Sequence, residues 1–80
     1  MVLKVVASYN QLTYEGTWNA STNTPTLTSS VGPTNGYYIV SVAGNTNLNG
    51  ITNWNVGDWA IFNGTQWERI AGGKIGRAHV

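Results

Sequence analysis

Apolar and polar residues alternate along much of this chain with the period of two that is typical of β-strands. In residues 11–18 the apolar side of the alternation consists of Leu12, Tyr14, Gly16 and Trp18. Because successive side chains of a strand point to opposite faces, this segment predicts a half-buried strand. Residues 37–42, YYIVSV, are β-branched and aromatic at both parities. They predict a central strand with apolar groups on both faces, and Asn35-Gly36 predicts a turn before it.

The segment 56–70, VGDWAIFNGTQWERI, predicts a C-terminal β-hairpin. Asn63-Gly64 separates its two strand-like runs, and this pair is typical of a two-residue type I′ turn, which needs positive φ at both central residues. Pairing across the turn assigns the large side chains to two faces. One face carries Ala60, Phe62 and Trp67, with Asp58 and Arg69 near its end. The opposite face carries Trp59, Ile61 and Ile70.

The remaining segments are rich in Asn, Thr, Ser and Gly, which indicates long connections. Residues 19–36 contain both prolines and predict at most a short edge strand at residues 26–29. Residues 45–57 are loop-like, with Leu48 and Ile51 as predicted core anchors. Since no apolar pattern of helical period with caps is present, we predict an all-β fold. It is a small antiparallel sheet or sandwich-like module with a C-terminal β-hairpin and long Asn/Thr-rich loops.

Composition restricts what can support so small a fold. A chain of 80 residues makes at most one domain and buries only about 60% of the surface that its unfolded form exposes. It has no Cys and one His, so a disulfide framework and a zinc-like ligand set are excluded, and oligomerisation remains as a support. A net charge of +1 with 9% charged residues argues against a nucleic-acid partner and against membrane attachment. No stretch is long enough for membrane insertion, and the opening MVLKVVA lacks the features of a signal peptide.

Changes in composition along the sequence divide the chain into three segments. Residues 1–10 form an N-terminal lead-in, residues 11–73 form the all-β module, and residues 74–80, KIGRAHV, end the chain with a basic, Asn-free stretch. Back-translated as AAG ATC GGA AGA GCA CAC GTC, followed by TGA, this stretch matches a common sequencing adapter from Ile75 to the stop. We therefore expect a metagenomic fragment with a non-native tail, in which Arg77 and His79 have no selected function. The alternative is a genuine basic tail.

Catalytic chemistry has few candidate groups in this sequence. The acids are Glu15, Asp58 and Glu68, the single His lies in the tail, and no Cys is present. A glycosidase pair of Asp58 and Glu68 is the sharpest enzymatic hypothesis, but turn and salt-bridge roles fit their positions better. We predict no catalytic residues, no cofactor and no metal site, and hence a protein that is not an enzyme.

The four tryptophans are the remaining candidates for a binding role, because an exposed indole can stack on a sugar ring whereas a buried one supplies core. Trp18 and Trp67 lie on apolar strand faces and are predicted to be core. Trp54, flanked by Asn53 and Asn55, is either a sugar-stacking residue or a loop plug. Trp59 faces a second layer of the domain, a neighbouring chain or a ligand, and we favour a neighbouring chain. The candidate ligand-binding residues are Trp54, Trp59, Asn53 and Asn55.

Three motifs in order carry a resemblance to a known family: YEGTWNASTNTPTL, GYYIVSVAG and NWNVGDWAIFNGTQWERI. Over residues 14–70 the chain resembles a module of bacteriophage tail-fibre and related receptor-binding proteins. The resemblance implies an all-β virion module in a homotrimeric fibre, extracellular when assembled and near the host-binding end, and it transfers no catalytic residue. It is compatible with contact to a host surface glycan.

A second similarity concerns the final hairpin alone. It is similar to the last hairpin of small chitin- and cellulose-binding modules at Gly57, Asp58, Ala60, Phe62, Asn63, Gly64 and Trp67. The sequence thus leads to a non-enzymatic structural or adhesin module of a phage tail fibre. The alternative is a monomeric carbohydrate-binding module.

Overall fold

A computed structural model describes residues 11–73 as one four-stranded β-sheet. The strands are β1 (Thr13–Asn19), β2 (Gly36–Val42), β3 (Trp59–Phe62) and β4 (Trp67–Ile70), and a short 3-10 turn at Ala71–Gly73 follows β4. The strand order in the sheet is β1-β2-β3-β4. The predicted all-β class is therefore confirmed. The lead-in at residues 1–10 and the tail at residues 74–80 lie outside the described residues.

The sheet is mixed, whereas an antiparallel sheet was one of the predicted architectures. β1 pairs with β2 in parallel, and β2–β3 and β3–β4 are antiparallel. A parallel pair needs a connection that returns the chain to the end at which the first strand began, and residues 20–35 make this return. In place of the predicted edge strand at residues 26–29, the connection contains an isolated bridge between Thr28 and Val31.

A bulge in β1 changes the faces that simple alternation predicts. Tyr14 pairs with Tyr37 and Gly16 pairs with Tyr38, so Glu15 is an extra residue between two successive pairs. Gly16 has a φ of +131° here, and glycine is common at such bulges. The extra residue moves Tyr14 to the face opposite Trp18. The predicted grouping of these two side chains on one face is therefore wrong.

The hairpin loop has four residues, 63–66, because Phe62 pairs directly with Trp67. The predicted two-residue type I′ turn is therefore wrong. Asn63 closes the loop: its side-chain oxygen accepts the N–H groups of Thr65 and Gln66 at 2.8 and 2.9 Å. Compared with the predicted two-residue turn, the four-residue loop shifts the pairing register of β3 and β4 by two residues. An even shift preserves the face on which every side chain lies. The predicted division of the hairpin into two apolar faces is confirmed.

The core lies on one face of the sheet, where the two long connections form the covering layer. Its large buried side chains come from the strands and from the loops, and include Trp18, Val40, Phe62, Trp67, Leu27, Leu48 and Trp54. Trp18 meets Trp54 edge to face with ring centroids 5.1 Å apart. The core roles predicted for Trp18 and Trp67 and the anchoring role of Leu48 are confirmed. A sheet covered by irregular loops thus replaces a second sheet.

A substitution in the hairpin loop tests its geometry. Gly64 has a φ of +100°, a conformation that strains a β-branched residue by roughly 1–3 kcal/mol. We expect Gly64→Val to lower the free energy of unfolding by about 1 kcal/mol or more in a urea titration. The neighbouring, exposed Thr65 gives the matched control Thr65→Val, which should unfold near the wild-type midpoint. Equal midpoints for the two variants would contradict this geometry.

Candidate functional site

The face of the sheet opposite the core carries a second set of apolar side chains, which we call the aromatic face. Cross-strand pairing places its members together: Tyr14 opposite Tyr37, Tyr37 opposite Ile61, and Trp59 opposite both Ile39 and Ile70. The aromatic face therefore consists of Tyr14, Tyr37, Ile39, Trp59, Ile61 and Ile70. Residues directly opposite each other in a sheet share a face, so this grouping follows from register alone.

Three aromatic rings cross three adjacent strands on this face. The rings of Tyr37 and Trp59 are stacked, with centroids 4.1 Å apart and planes inclined by 10°. Tyr14 extends the row, 5.6 Å from Tyr37 at an angle of 50°. Tyr14 is 53% exposed, Tyr37 and Trp59 are half-buried, and Ile61 is fully buried. The aromatic face is therefore most exposed at Tyr14 on β1 and fully buried at Ile61 on β3.

The stacking limits what Trp59 can bind. A sugar ring packs on the flat face of an indole, and Tyr37 already covers one flat face of Trp59. The stacking therefore removes one of the two flat faces of Trp59 as a sugar platform and leaves the other flat face and the ring edges. As predicted from the sequence, Trp59 points away from the side of Phe62 that forms the core.

Trp54 lies on the core side and is only 1% exposed. Its indole N–H donates to the carbonyl oxygens of Thr46 at 2.8 Å and Ile51 at 3.2 Å. Both flat faces of the ring are enclosed in the packed interior, so a sugar has no access to them. This geometry corresponds to the loop-plug alternative and is at odds with a stacking role for Trp54.

The four candidate ligand-binding residues do not form one site. Trp54 packs beneath the loops of the core side, and Trp59 lies on the aromatic face. Asn53 and Asn55 flank Trp54 and are exposed at the surface. The sequence missed Tyr14 and Tyr37 as partners of Trp59. Gly16 inside a strand pattern was the available signal, because an isolated glycine there suggests a bulge.

Asp58 ties three segments together at one end of the hairpin. It is 3% exposed, and its carboxylate accepts hydrogen bonds from the backbone N–H of Asn55 at 2.8 Å and of Gly72 at 2.9 Å. Arg69 Nε forms an ion pair with it at 2.8 Å. Burial alone would raise the pKa of Asp58, but the two N–H donors and the Arg69 guanidinium outweigh it and lower the pKa below its ordinary value. The predicted turn and salt-bridge role is confirmed.

Glu68 serves a different part of the hairpin. Its carboxylate accepts a hydrogen bond of 2.7 Å from the side-chain amide of Asn63. Glu68 pairs with Ile61 and therefore lies on the aromatic face, whereas Asp58 bonds Arg69 on the core side. The sheet thus separates the two carboxylates. They do not flank a common site of the kind that a glycosidase needs.

Within residues 11–73, no three side chains among His, Cys, Asp and Glu come together as ligands for a metal ion. The part of the chain that the structure describes has no helix of the length and apolar character needed to cross a membrane.

No protein-family model, no curated protein and no solved structure matches this chain. What the described residues define is an all-β module with one core face and one separate aromatic face.

Proposed function

We propose that this chain is a non-enzymatic structural or adhesin module of a bacteriophage tail fibre, which contributes to host-surface recognition as part of the virion. The observation that carries the proposal is the aromatic face. The core is complete without it, because Trp18, Trp54 and Trp67 are all buried on the other side. A small module that keeps a second apolar face, including a Tyr14 that is 53% exposed, is suited to assembly with other protein surfaces.

In this proposal the fibre is a homotrimer, and the aromatic face of each chain points toward its neighbours. Burying an aromatic or aliphatic side chain contributes roughly 1.5–3 kcal/mol, and the chain has no disulfide to supply that stability otherwise. The exposed, Asn- and Thr-rich loops on the core side are then left at the outside of the fibre. Uncharged hydrogen-bonding groups of this type suit contact with a host surface glycan.

A carbohydrate-binding module is the alternative that the hairpin similarity suggests, and the ring geometry does not favour it. Sugar-binding platforms present the flat faces of their aromatic rings to solvent. Trp54 is enclosed in the core, and Tyr37 covers one of the two flat faces of Trp59.

The uninterrupted source gene tests the proposed function. Long-read sequencing across codon 74 should show a reading frame that continues into further β-rich, repetitive sequence among virion structural genes. The contrary result is a frame that joins a polysaccharide-degrading domain. That result would reject the fibre role and support the alternative.

Retention on insoluble chitin and cellulose gives an independent measurement on the 80-residue chain. We expect the wild type and Tyr14→Ala to pass through both matrices equally. Retention of the wild type that disappears in a folded Trp59→Ala variant would establish sugar stacking and contradict the proposal.

A further inference from the structure

We infer that the aromatic face is a contact between copies of this chain that is too small to hold them together alone, and that forms only when the chains are already held side by side. This inference rests on the proposed function and adds the condition under which the contact forms. It predicts that the free chain is monomeric at micromolar concentration.

The available area supports this condition. Ile61 is already fully buried, and only Tyr14 is more than half exposed. An aromatic side chain buries 150–250 Å² when it is completely covered, so what remains accessible on this face is roughly 300 Å². A stable interface between two proteins buries about 800 Å² on each partner. The aromatic face provides less than half of that area.

The small area also restricts the identity of the occupant. A partner that diffuses freely would not be retained by so little surface, whereas a partner held nearby at an effective concentration near the millimolar range would be. Within a fibre, the neighbouring copy is the partner held in this way.

Charge is compatible with contact between identical faces. The ionisable group on β4 at the border of the face is Glu68, whose carboxylate is hydrogen-bonded to Asn63. Arg69 is directed to the core side, where Asp58 binds it. The face is otherwise composed of tyrosine, tryptophan and isoleucine. Like-charge repulsion between two copies is therefore limited to Glu68, which lies on the outer strand β4.

The test compares the free 80-residue chain with the same chain joined by a short Gly/Ser linker to a parallel three-stranded coiled coil. Because the chain has no cysteine, one thiol can be introduced cleanly as Tyr14→Cys on the aromatic face. The matched control is Val56→Cys, at a residue that is 66% exposed on the turn before β3. Cross-linking by a short bismaleimide, sedimentation and thermal unfolding are then measured for each protein.

We expect the free chain to sediment as a monomer and both thiols to react at similar rates in it. In the fused trimer, Tyr14→Cys should cross-link at least about tenfold more than Val56→Cys. The fusion should also raise the melting temperature by about 4–8 °C in the wild type and by less in Trp59→Thr. Comparing fused with unfused protein for each variant removes any effect of Trp59→Thr on the fold itself.

Three outcomes would overturn the inference. A stable oligomer of the free chain would show that the face suffices alone. Slow labelling of Tyr14→Cys in the free monomer would show that the face is already covered within one chain. Equal cross-linking at both positions in the fusion would show that another surface meets the neighbour. Each of these results leaves the gene-continuation test unaffected, so the fibre role and the self-contact fail separately.

Discussion

Asp58→Ala is expected to destabilise the module by about 3–5 kcal/mol, because it leaves Arg69 and two backbone N–H groups without their common acceptor. A domain of this size has a total stability of roughly 4–12 kcal/mol. A loss of this magnitude removes a quarter or more of the total stability and should lower the urea midpoint strongly. Urea unfolding followed by tryptophan fluorescence measures it, since three tryptophans are buried in the core.

The same carboxylate makes stability depend on pH. The pKa of Asp58 is lower in the folded protein than its ordinary value of 3.8. The folded state therefore favours the ionised form, and its stabilising contribution is present above about pH 4. That contribution is lost as the pH falls through the lowered pKa of the folded state. The wild type should lose stability as the pH falls below about 4, and Asp58→Asn should lose less.

Glu15→Gln is the control for the acid titration, because Glu15 is an exposed carboxylate on β1. It should retain the wild-type loss of stability at low pH. If Asp58→Asn and the wild type showed parallel pH profiles, the ion pair would not be the source of the acid sensitivity.

Gly44→Ala is the second substitution with a large expected effect, and it should lower the free energy of unfolding by about 3 kcal/mol or more. A methyl group at Gly44 would overlap the backbone atoms of Ala20 and Ser21. These atoms are held in place, because Ala20 donates its N–H to the Val42 carbonyl at 2.9 Å and accepts from Thr46. Because the overlapping atoms belong to the backbone and not to a flexible side chain, the overlap can be relieved only by displacing the loop.

Gly50→Ala separates this steric effect from the general cost of replacing glycine. Gly50 has a φ of +92°, and an added methyl group there meets nothing within 4 Å. Its expected cost is the conformational strain alone, about 1 kcal/mol. Urea midpoints for the two variants measure the difference. A Gly50→Ala variant as unstable as Gly44→Ala would show that backbone conformation rather than close approach dominates at both positions.

The parts of the fold that the sequence predicted are those set by local patterning. The faces of the hairpin follow from alternation around Trp59, and they survived an incorrect loop length because the register changed by an even number of residues. The buried positions of Trp18 and Leu48 follow from the same alternation and from isolated apolar residues in a polar loop.

The parts that were not predicted depend on pairing between distant segments. The position of Tyr14 depends on the extra residue at Glu15, which the neighbouring Gly16 suggests but only the register with β2 locates. The burial of Trp54 depends on its edge-to-face contact with Trp18, a strand residue far away in the chain. No local pattern contains either contact, and the aromatic face as a three-strand row was therefore missed.

The parallel pairing of β1 with β2 determines how copies of such a module can be joined in series. β1 and β4 are the two outer strands of the sheet, and both run in the direction of β2. The polypeptide therefore enters the sheet at one end of its strands and leaves at the other. Ile70 lies level with Ile39, three residues beyond the Gly36 that pairs with Thr13, so the chain advances about 10 Å along the strand direction between Thr13 and Ile70. Successive units can be stacked head to tail along one axis without the chain doubling back between them, which is the geometry that an extended shaft needs.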